Sequence, residues 1–278
     1  MNSLLKYHLD KSGLFEKQSI TITTIAGSTH EIYRINTDDA SYVLKIPKKQ
    51  LQELIDKNNE YRAGQLTAEA GINIPFLYYD FDSGANITQF IDAQKISLAN
   101  NSYIGKYVQI FKKLHQLPQR FQKDIKIFSV IAFYRDKVSD QIPDEFKNFI
   151  QWDHQIQQFK QELAPMTIET CPCHNDPIPA NFILDNQDQM FLIDWEYAGN
   201  NDPLWDLATF ISEMDFDFEQ EQTFLSEYLQ RKMSASEQRR YVIYKIASSY
   251  LWILWSMVTA NLTNISKHLT RLDFFGAF

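Results

Sequence analysis

The sequence has little cysteine, little glycine and fewer basic than acidic residues. Its 278 residues include 2 cysteines, 8 glycines, 27 lysines and arginines, and 35 aspartates and glutamates, which gives a formal net charge of -8. This balance argues against a nucleic-acid-binding protein, which usually carries a basic face, and favours a cationic or neutral partner. Because 44% of the residues are hydrophobic, the chain can bury a sizeable core and is neither disordered nor fibrous.

The sequence also lacks the apolar stretches that membrane insertion and secretion require. No run reaches the roughly 18 to 20 apolar residues that span a bilayer, and the first residues lack the basic-then-apolar order of a signal peptide. We therefore expect a cytoplasmic protein without a membrane partner. The sequence does not fix the oligomeric state, because an aromatic-rich helical region can hide an interface or only a core.

The two cysteines, Cys171 and Cys173, lie in the segment "CPCH". In an extended segment they are too close in sequence for an ordinary disulfide with each other. His174 beside them is a possible third zinc ligand, but the sequence shows no second ligand pair. The pattern therefore disfavours a metal-thiolate site.

Residues 1–92 carry the pattern of a small α+β lobe. Three alternating or β-branched runs separated by turn residues predict an antiparallel meander, and Pro47 ends the third run. A stretch of helical composition follows and stops at Gly71. Two more apolar runs around a turn complete a prediction of five strands with one helix inserted after the third. The predicted strands are "SITITTIA", "EIYRINT", "YVLKIP", "FLYYDF" and "NITQFI".

Residues 93–278 carry a mostly helical pattern. The segment "NSYIGKYVQIFKKLHQL" has apolar residues at helical spacing and stops before Pro118. The chain shows no internal repeat, and we place the seam between the two predicted lobes near Asp92 to Ser97. Later helices are predicted at "DPLWDLATFISEM", "EQTFLSEYLQRKM" and "EQRRYVIYKIASSYLWILWSMVTANL".

The stretch "CHNDPIPANFILDNQDQMFLIDWEY" interrupts the helices and places polar groups beside two apolar runs. The apolar runs predict a β-hairpin, which would bring Asn181 next to Asp194. With Asp176 upstream, these residues have the D-x-x-x-x-N spacing and the second aspartate of a kinase catalytic loop. Such a loop holds Mg²⁺ on phosphates and accepts the proton of an attacking hydroxyl. The alternative is that these residues only flank turns.

Three features of the N-terminal part fit a nucleotide-binding lobe. Lys45 lies in the third predicted strand, where its ammonium group needs an anion such as a phosphate, unless the strand is an edge strand and the lysine faces water. Glu60 on the next helix could pair with Lys45, although an exposed helix glutamate is the commoner case. The segment "AGSTHEIYRI", with Ser28 and Thr29, could fold over phosphates using backbone N–H groups, but its single glycine is a weak signal.

The motifs "HNDPIPANFI", "LIDWEYAGNNDPLWDLA" and "YLWILWS" together resemble the choline and ethanolamine kinases, especially the bacterial choline kinases. These belong to the aminoglycoside-phosphotransferase and protein-kinase-like superfamily. The resemblance extends over residues 20–258. It implies a bilobal protein-kinase-like α+β fold, with a small antiparallel β-sheet lobe and a mostly helical C-terminal lobe. It also implies ATP- and Mg²⁺-dependent phosphorylation of a small amino alcohol, with choline as the first expectation.

The resemblance assigns roles to individual residues. Asp176 would be the base that positions the substrate hydroxyl, and Asn181 and Asp194 would hold Mg²⁺. Glu196 would lie near the metal or the substrate cation. The other implied roles are a structural one for His174, bracing of the loop backbone for Asp206, and adenine pairing for the strand end with Gln89, Phe90 and Ile91. A carboxylate at a helix start, as at Asp206, is also expected to find N–H partners.

Trp252 and Trp255 stand three residues apart in "YLWILWS" and share one face of a predicted helix. Helical tryptophans are more often core residues than ligands. A quaternary ammonium donates no hydrogen bond, however, so its site must use aromatic faces with a carboxylate nearby. The pair matches the family positions of such a cage, and a third cage residue cannot be assigned.

The chain departs from the family pattern in the phosphate-loop segment, where His30 and Glu31 replace an asparagine. A carboxylate at this position would repel ATP phosphates unless it points away. Two other functions therefore stay open. One is a kinase for ethanolamine, thiamine or an aminoglycoside, and the other is a catalytically weak module that binds a nucleotide or choline.

Overall fold

The chain forms two compact units, each discontinuous in sequence. The first unit contains Met1–Leu114 and Ala180–Ala198, and the second contains His115–Pro179 and Gly199–Phe278. The computed structural model describes residues 3–25, 27, 29–49, 52, 55–94, 101–138, 146, 148–259, 261–262 and 265–276. The boundaries of the two lobes expected from the sequence, 1–92 and 93–278, remain a prediction.

The first unit is built on a five-stranded antiparallel sheet with the order β1-β2-β3-β5-β4. Strand β3 pairs with β2 on one side and with β5 on the other, so it is a central strand. The edge-strand alternative for Lys45 therefore does not hold. The strands are β1 (Thr21–Ile25), β2 (His30–Asn36), β3 (Ser41–Pro47), β4 (Phe76–Tyr79) and β5 (Asn86–Gln89).

The two faces of β3 have different neighbours. Leu44 and Ile46 are buried in a hydrophobic cluster that also contains Leu9 of α1 (Ser3–Ser12). Because side chains alternate along a strand, Lys45 lies on the opposite face. The core under α1 thus fixes the direction in which the lysine projects.

Helix α2 (Lys57–Glu69) follows β3, as the sequence predicts, but it begins later than its helical composition suggests. The side chain of Asp56 caps the helix by accepting the backbone N–H of Asn59 at 3.1 Å. At the other end Gly71 has a φ of 68°, a left-handed conformation that glycine adopts without strain. The predicted stop is present.

The predicted hairpin is also part of the first unit. Strands β7 (Phe182–Leu184) and β8 (Met190–Leu192) pair in antiparallel register. At the tip Asp185 accepts the backbone N–H groups of Gln187 and Gln189, both at 2.8 Å. The tip residues therefore have a turn role, which separates them from the polar residues at the open end.

The second unit is mostly helical. A short antiparallel pair, β6 (Cys171–Cys173) and β9 (Gly199–Asn201), accompanies the helices. Helix α8 packs against α4, α5, α6 and α9. The helices are α4 (Ile127–Arg135), α5 (Phe149–Leu163), α6 (Pro203–Glu213), α7 (Phe218–Leu229), α8 (Ala235–Thr259) and α9 (Ile265–Gly276). Helix α3 (Ile104–His115) ends at the first residue of this unit.

By length and composition alone α8 is apolar enough to cross a membrane, which corrects the expectation that no stretch reaches this threshold. More than half of its apolar window is buried inside the structure. Its apolar residues thus serve the core of the second unit, which accounts for the composition.

The structure confirms the predicted α+β class, with its five-stranded sheet, its inserted helix and its later helices. Sequence patterns missed the individual helices α1, α4, α5 and α9 and the β6–β9 pair. Helix α1 is short and half polar, and strands of three residues are too brief for a periodic signal.

Gly64 in α2 offers a stability test. Alanine normally stabilises a helix interior relative to glycine, but a Cβ at Gly64 would collide with the ring of Phe76. We expect Gly64→Ala to lower the free energy of unfolding by about 1–3 kcal/mol, measured by urea denaturation. Arg62→Ala, at an exposed site on the same helix, should stay within about 0.5 kcal/mol of the parent. A more stable Gly64→Ala protein would contradict the packing of α2 on β4.

Candidate active site

Lys45 meets carboxylates on the face of the sheet opposite α1. Its ammonium group pairs with Asp194 and lies 4.0 Å from Glu196 Oε2. The lysine side chain is only 15% exposed. A charge held at such a site requires anionic partners, and the segment after the hairpin supplies them.

Three acidic groups, Asp194, Glu196 and Glu60, surround the single lysine. Burial lowers the pKa of Lys45, but Asp194, Glu196 and Glu60 outweigh burial and raise it above its usual value. Burial and the charge of Asp194 raise the pKa of Glu196 to about 8. Burial also raises the pKa of Glu60. The cluster therefore favours binding of an additional cation.

Asn181 and Asp194 are neighbours at the open end of the hairpin. The backbone N–H of Ile193 donates to the carbonyl of Asn181 at 2.9 Å, one residue before Asp194. Asp194 has φ 74° and ψ 68°, a left-handed conformation that is uncommon outside glycine but tolerated by aspartate. Such backbone strain clusters at functional sites. At Asp194 the left-handed conformation changes the direction of the chain after β8.

Glu60 lies close to this cluster but has another partner. Its Oε2 accepts a hydrogen bond from the Tyr79 hydroxyl at 2.7 Å. The ion pairs that Lys45 makes go to Asp194 and Glu196, so the expected Lys45–Glu60 pair is not a direct contact in the described structure. Glu60 acts on Lys45 through its charge at longer range. A role of Glu60 in nucleotide binding remains a prediction.

His30 and Glu31 point to opposite faces of β2. His30 is 3% exposed, and its Nε2 lies 3.3 Å from Glu196 Oε2 on the side of Lys45. Burial and the charge of Lys45 lower the pKa of His30 to about 3, so its ring is neutral. Glu31 accepts the Tyr33 hydroxyl at 2.8 Å on the core side. Strand alternation thus turns the Glu31 carboxylate away from Lys45.

The segment before β2 is tightly packed at its glycine. A Cβ on Gly27 would stand 2.6 Å from the carbonyl oxygen of His30. Thr29 contacts the His30 ring through Oγ1 at 2.7 Å, and its carbonyl accepts the backbone N–H of Lys48 at 3.1 Å. Ser28, the other predicted phosphate-binding residue, lies outside the described residues. Phosphate binding by this segment stays a prediction.

The strand end predicted to bind adenine follows β5. Gln89 is the last residue of the strand, and the backbone N–H of Phe90 donates to the carbonyl of Ser41 at 2.9 Å. The guanidinium of Arg34 stacks on the Phe90 ring at 3.9 Å. These contacts hold the chain at Phe90. Adenine binding by Gln89, Phe90 and Ile91 remains a prediction.

In the second unit a buried carboxylate holds the backbone next to Asp176. Asp206 is fully buried, and its two oxygens accept the backbone N–H groups of His174 and Asn175, each at 2.8 Å. The Asp176 N–H donates to His174 Nδ1 at 3.3 Å. Two short bonds to one carboxylate define the path of the loop immediately before Asp176.

Sequence reasoning missed Asn175. Its backbone has a φ of 69°, and its side-chain amide donates to the carbonyls of Cys173 and Gly199 at 3.3 and 3.2 Å. Its amide oxygen accepts from Asn201 at 2.9 Å. The residue therefore ties the loop to the β6–β9 pair. The clue in the sequence was the residue type, because asparagine tolerates the left-handed conformation better than most residues.

Sequence reasoning also missed Asp202, which caps α6. Its Oδ1 accepts the backbone N–H of Leu204 at 3.0 Å. Its Oδ2 accepts from Arg240 at 2.7 Å and from the Tyr244 hydroxyl at 3.1 Å, which joins α6 to α8. An aspartate before proline at a helix start was the visible signal for the cap. Its distant partners on α8 had no local signal.

Trp252 and Trp255 lie on α8 as predicted, and both are partly exposed. Their ring centroids are 5.3 Å apart at an interplanar angle of 74°. His268 of α9 stacks on Trp252 at 5.5 Å and 10°. Burial, followed by the charges of Arg271 and Lys267, lowers the pKa of His268 to about 3, so the stacked ring is neutral.

The oxygen donors in the first unit fit a magnesium ion. Asn181, Asp194 and Glu196 offer amide and carboxylate oxygens, which are the ligands that hard divalent cations prefer. Glu196 Oε2 is buried and accepts no hydrogen bond from the described residues. A bound cation would satisfy this carboxyl oxygen among its acidic neighbours.

Asp206→Asn tests the bracing of the loop. The substitution keeps the shape but replaces one acceptor oxygen with an amide that faces a backbone N–H. We expect a loss of about 3 kcal/mol in the free energy of unfolding, measured with urea. Asp217→Asn, at the exposed cap of α7 where asparagine serves equally well, should change it by less than about 0.5 kcal/mol. Equal stability of the two variants would contradict the bracing.

Comparisons with known proteins give the family and the fold of the chain. Protein LicA of Haemophilus influenzae is 29% identical over 257 residues, which cover 87% of this chain and 74% of that protein. The choline kinase LicA from Streptococcus pneumoniae has a crystal structure similar to this one, with a TM-score of 0.86, 25% identity and 99% of each chain covered. A crystal structure of LicA in complex with AMP gives a TM-score of 0.85 at 24% identity over 99% of this chain and 97% of that one.

These similarities confirm the predicted protein-kinase-like α+β fold. The model of the phosphotransferase enzyme family, abbreviated APH, matches residues 21–241, which is most of the sequence. The chain belongs to the phosphotransferase enzyme family.

Proposed function

We propose that the protein is an ATP- and Mg²⁺-dependent kinase that phosphorylates the hydroxyl group of choline. Membership of the phosphotransferase family supports the reaction class. Similarity to the choline kinase LicA, and to LicA in complex with AMP, supports choline and an adenine nucleotide as ligands. The observation that carries the choice of choline is the pair of partly exposed indole rings on α8. We place the reaction in the cytoplasm.

The cation and the phosphates would be held by the charged cluster of the first unit. Asn181, Asp194 and Glu196 would hold Mg²⁺, which neutralises charge on the transferred phosphoryl group. Lys45, held by Asp194, would contact the α- and β-phosphates. A buried ammonium group with a raised pKa stays charged throughout the physiological range, as this role requires.

Asp176 would act on the choline hydroxyl. The hydroxyl oxygen forms a bond to the γ-phosphorus while the bond between that phosphorus and the bridging oxygen of ADP breaks. The hydroxyl proton passes to the Asp176 carboxylate, and ADP leaves. Asp206 and Asn175 support this step by fixing the backbone that carries Asp176, so the base needs little reorganisation.

The tryptophan pair suits a trimethylammonium group. The two indole rings meet edge to face, and His268 covers one face of Trp252, so the cation would bind on an indole face that these contacts leave open. Ethanolamine carries a primary ammonium, which would be better served by carboxylates and carbonyls that accept its hydrogen bonds. Thiamine and aminoglycosides are the other acceptors to compare. A catalytically weak binding module is disfavoured because Lys45, Asp176, Asn181 and Asp194 are all present.

Asp176→Asn tests the proposed base. The amide cannot take the proton, so we expect kcat for phosphocholine formation to fall by about 100- to 10,000-fold, with the affinity for MgATP retained. Turnover is measured by a coupled ADP assay and nucleotide affinity by calorimetry. Asp188→Asn, at the exposed hairpin tip, should behave as the parent enzyme. A turnover number for Asp176→Asn within twofold of the parent would remove the mechanism.

Trp255→Leu tests the choice of substrate. Leucine keeps an apolar side chain but loses the π face, so we expect KM for choline to rise by about 5- to 30-fold, corresponding to about 1–2 kcal/mol. KM for MgATP should not change. Phe133→Leu removes an exposed aromatic ring elsewhere in the second unit and serves as the control. An unchanged KM for choline in Trp255→Leu, with the fold intact by circular dichroism, would refute the aromatic cage.

A further inference from the structure

The second unit contains a cluster of soft ligands that phosphoryl transfer does not use. Ligand atoms of His115, Cys171 and Cys173 all lie within 4.8 Å of one another. Both cysteines are free thiols, and they project to the same side of β6 because they stand two apart in a strand. The sequence places His174 beside the cysteine pair, whereas the fold brings His115 to it from the end of α3.

The spacing of the two sulfurs suits metal ligation. They are 3.9 Å apart. Two thiolates bound at about 2.3 Å to one tetrahedral zinc ion stand about 3.8 Å from each other. A disulfide, by contrast, requires the sulfurs to approach to about 2.0 Å. The observed separation therefore fits two ligands of one ion without movement of the strand.

The hydrogen bonds of His115 also suit metal ligation. Its Nε2 lies 3.1 Å from Asp206 Oδ2. A carboxylate that already accepts two backbone N–H groups is an acceptor, so Nε2 carries the proton and Nδ1 keeps its lone pair. Metal-binding histidines commonly show this arrangement, with the other ring nitrogen bound to a carboxylate. Nδ1 lies 2.8 Å from the Tyr228 hydroxyl, which an incoming metal would displace.

Charge and access are also compatible with a cation. Cys173 is fully buried, so the ligands must balance the charge of an ion bound there. One divalent ion would displace both protons and leave a neutral site, because it balances two thiolates and an uncharged imidazole. Cys171 is partly exposed and gives the ion a path from solvent.

We propose that His115, Cys171 and Cys173 bind one thiophilic cation of the zinc class. The ligands are soft sulfur and imidazole, so they select against the Mg²⁺ that the oxygen donors of the first unit suit. The ion would be structural, since Cys173 directly precedes His174, and Asp206 contacts both His115 and the His174 backbone. Binding would thus stiffen the segment that leads into Asp176.

The test is zinc binding by the reduced full-length protein. Competition with a chromophoric chelator should give one equivalent of Zn²⁺ per chain, and Cd²⁺ should produce an ultraviolet thiolate-to-metal charge-transfer band. We expect Cys171→Ser and Cys173→Ser each to weaken zinc binding by at least about 100-fold, since losing a ligand should cost no less than losing its supporting partner. Zn²⁺ should raise the melting temperature of the parent, and Mg²⁺ should produce no charge-transfer band.

His154→Ala removes an exposed histidine on α5 and is the matched control, which should bind zinc as the parent does. Because Cys173 is buried, the partly exposed Cys171 provides the variant whose fold is safest, and circular dichroism checks both. Zinc affinity that is equal in the parent and in a folded Cys171→Ser protein overturns the proposal. So does a charge-transfer band that persists in both cysteine variants, or zinc binding that is lost in His154→Ala.

Discussion

One buried lysine faces three acidic groups, and the charged cluster of the first unit is built around it. Lys45 is held on a central strand by the core beneath it, and its ammonium group meets Asp194 and Glu196 from the segment after the hairpin. Glu60 of α2 adds a third acidic group. A buried cluster of this composition is costly unless a cation completes it. The proposed binding of Mg²⁺ and phosphates rests on this surplus of acidic groups.

The second unit holds the backbone next to Asp176, the proposed base, in a fixed path. Asp206 accepts two N–H groups from the loop, and Asn175 connects this loop to β6 and β9. The chain passes between the units after Pro179, within the D-x-x-x-x-N motif. Asp176 thus belongs to the helical unit and Asn181 to the sheet unit. Four residues of the motif therefore join the proposed proton acceptor to a proposed metal ligand.

The strongest sequence signals were local. The hairpin was predictable because turn residues separate two apolar runs, and it brought Asn181 beside Asp194. The central position of Lys45 required knowledge of strand order, which no local pattern contains. The partners of Asp202 and the approach of His115 to the cysteines depend on contacts between elements far apart in sequence. Glu31 shows the same limit, because its direction followed from strand register and not from its type.

The central claim is that choline receives the phosphoryl group of ATP. It is tested most directly by measuring kcat/KM of the purified full-length protein with MgATP on choline, ethanolamine, thiamine and kanamycin under identical conditions. The account predicts the highest kcat/KM on choline, with phosphocholine as the product identified by mass spectrometry. Equal or greater efficiency on ethanolamine, thiamine or kanamycin, or turnover on none of the four acceptors, would contradict it.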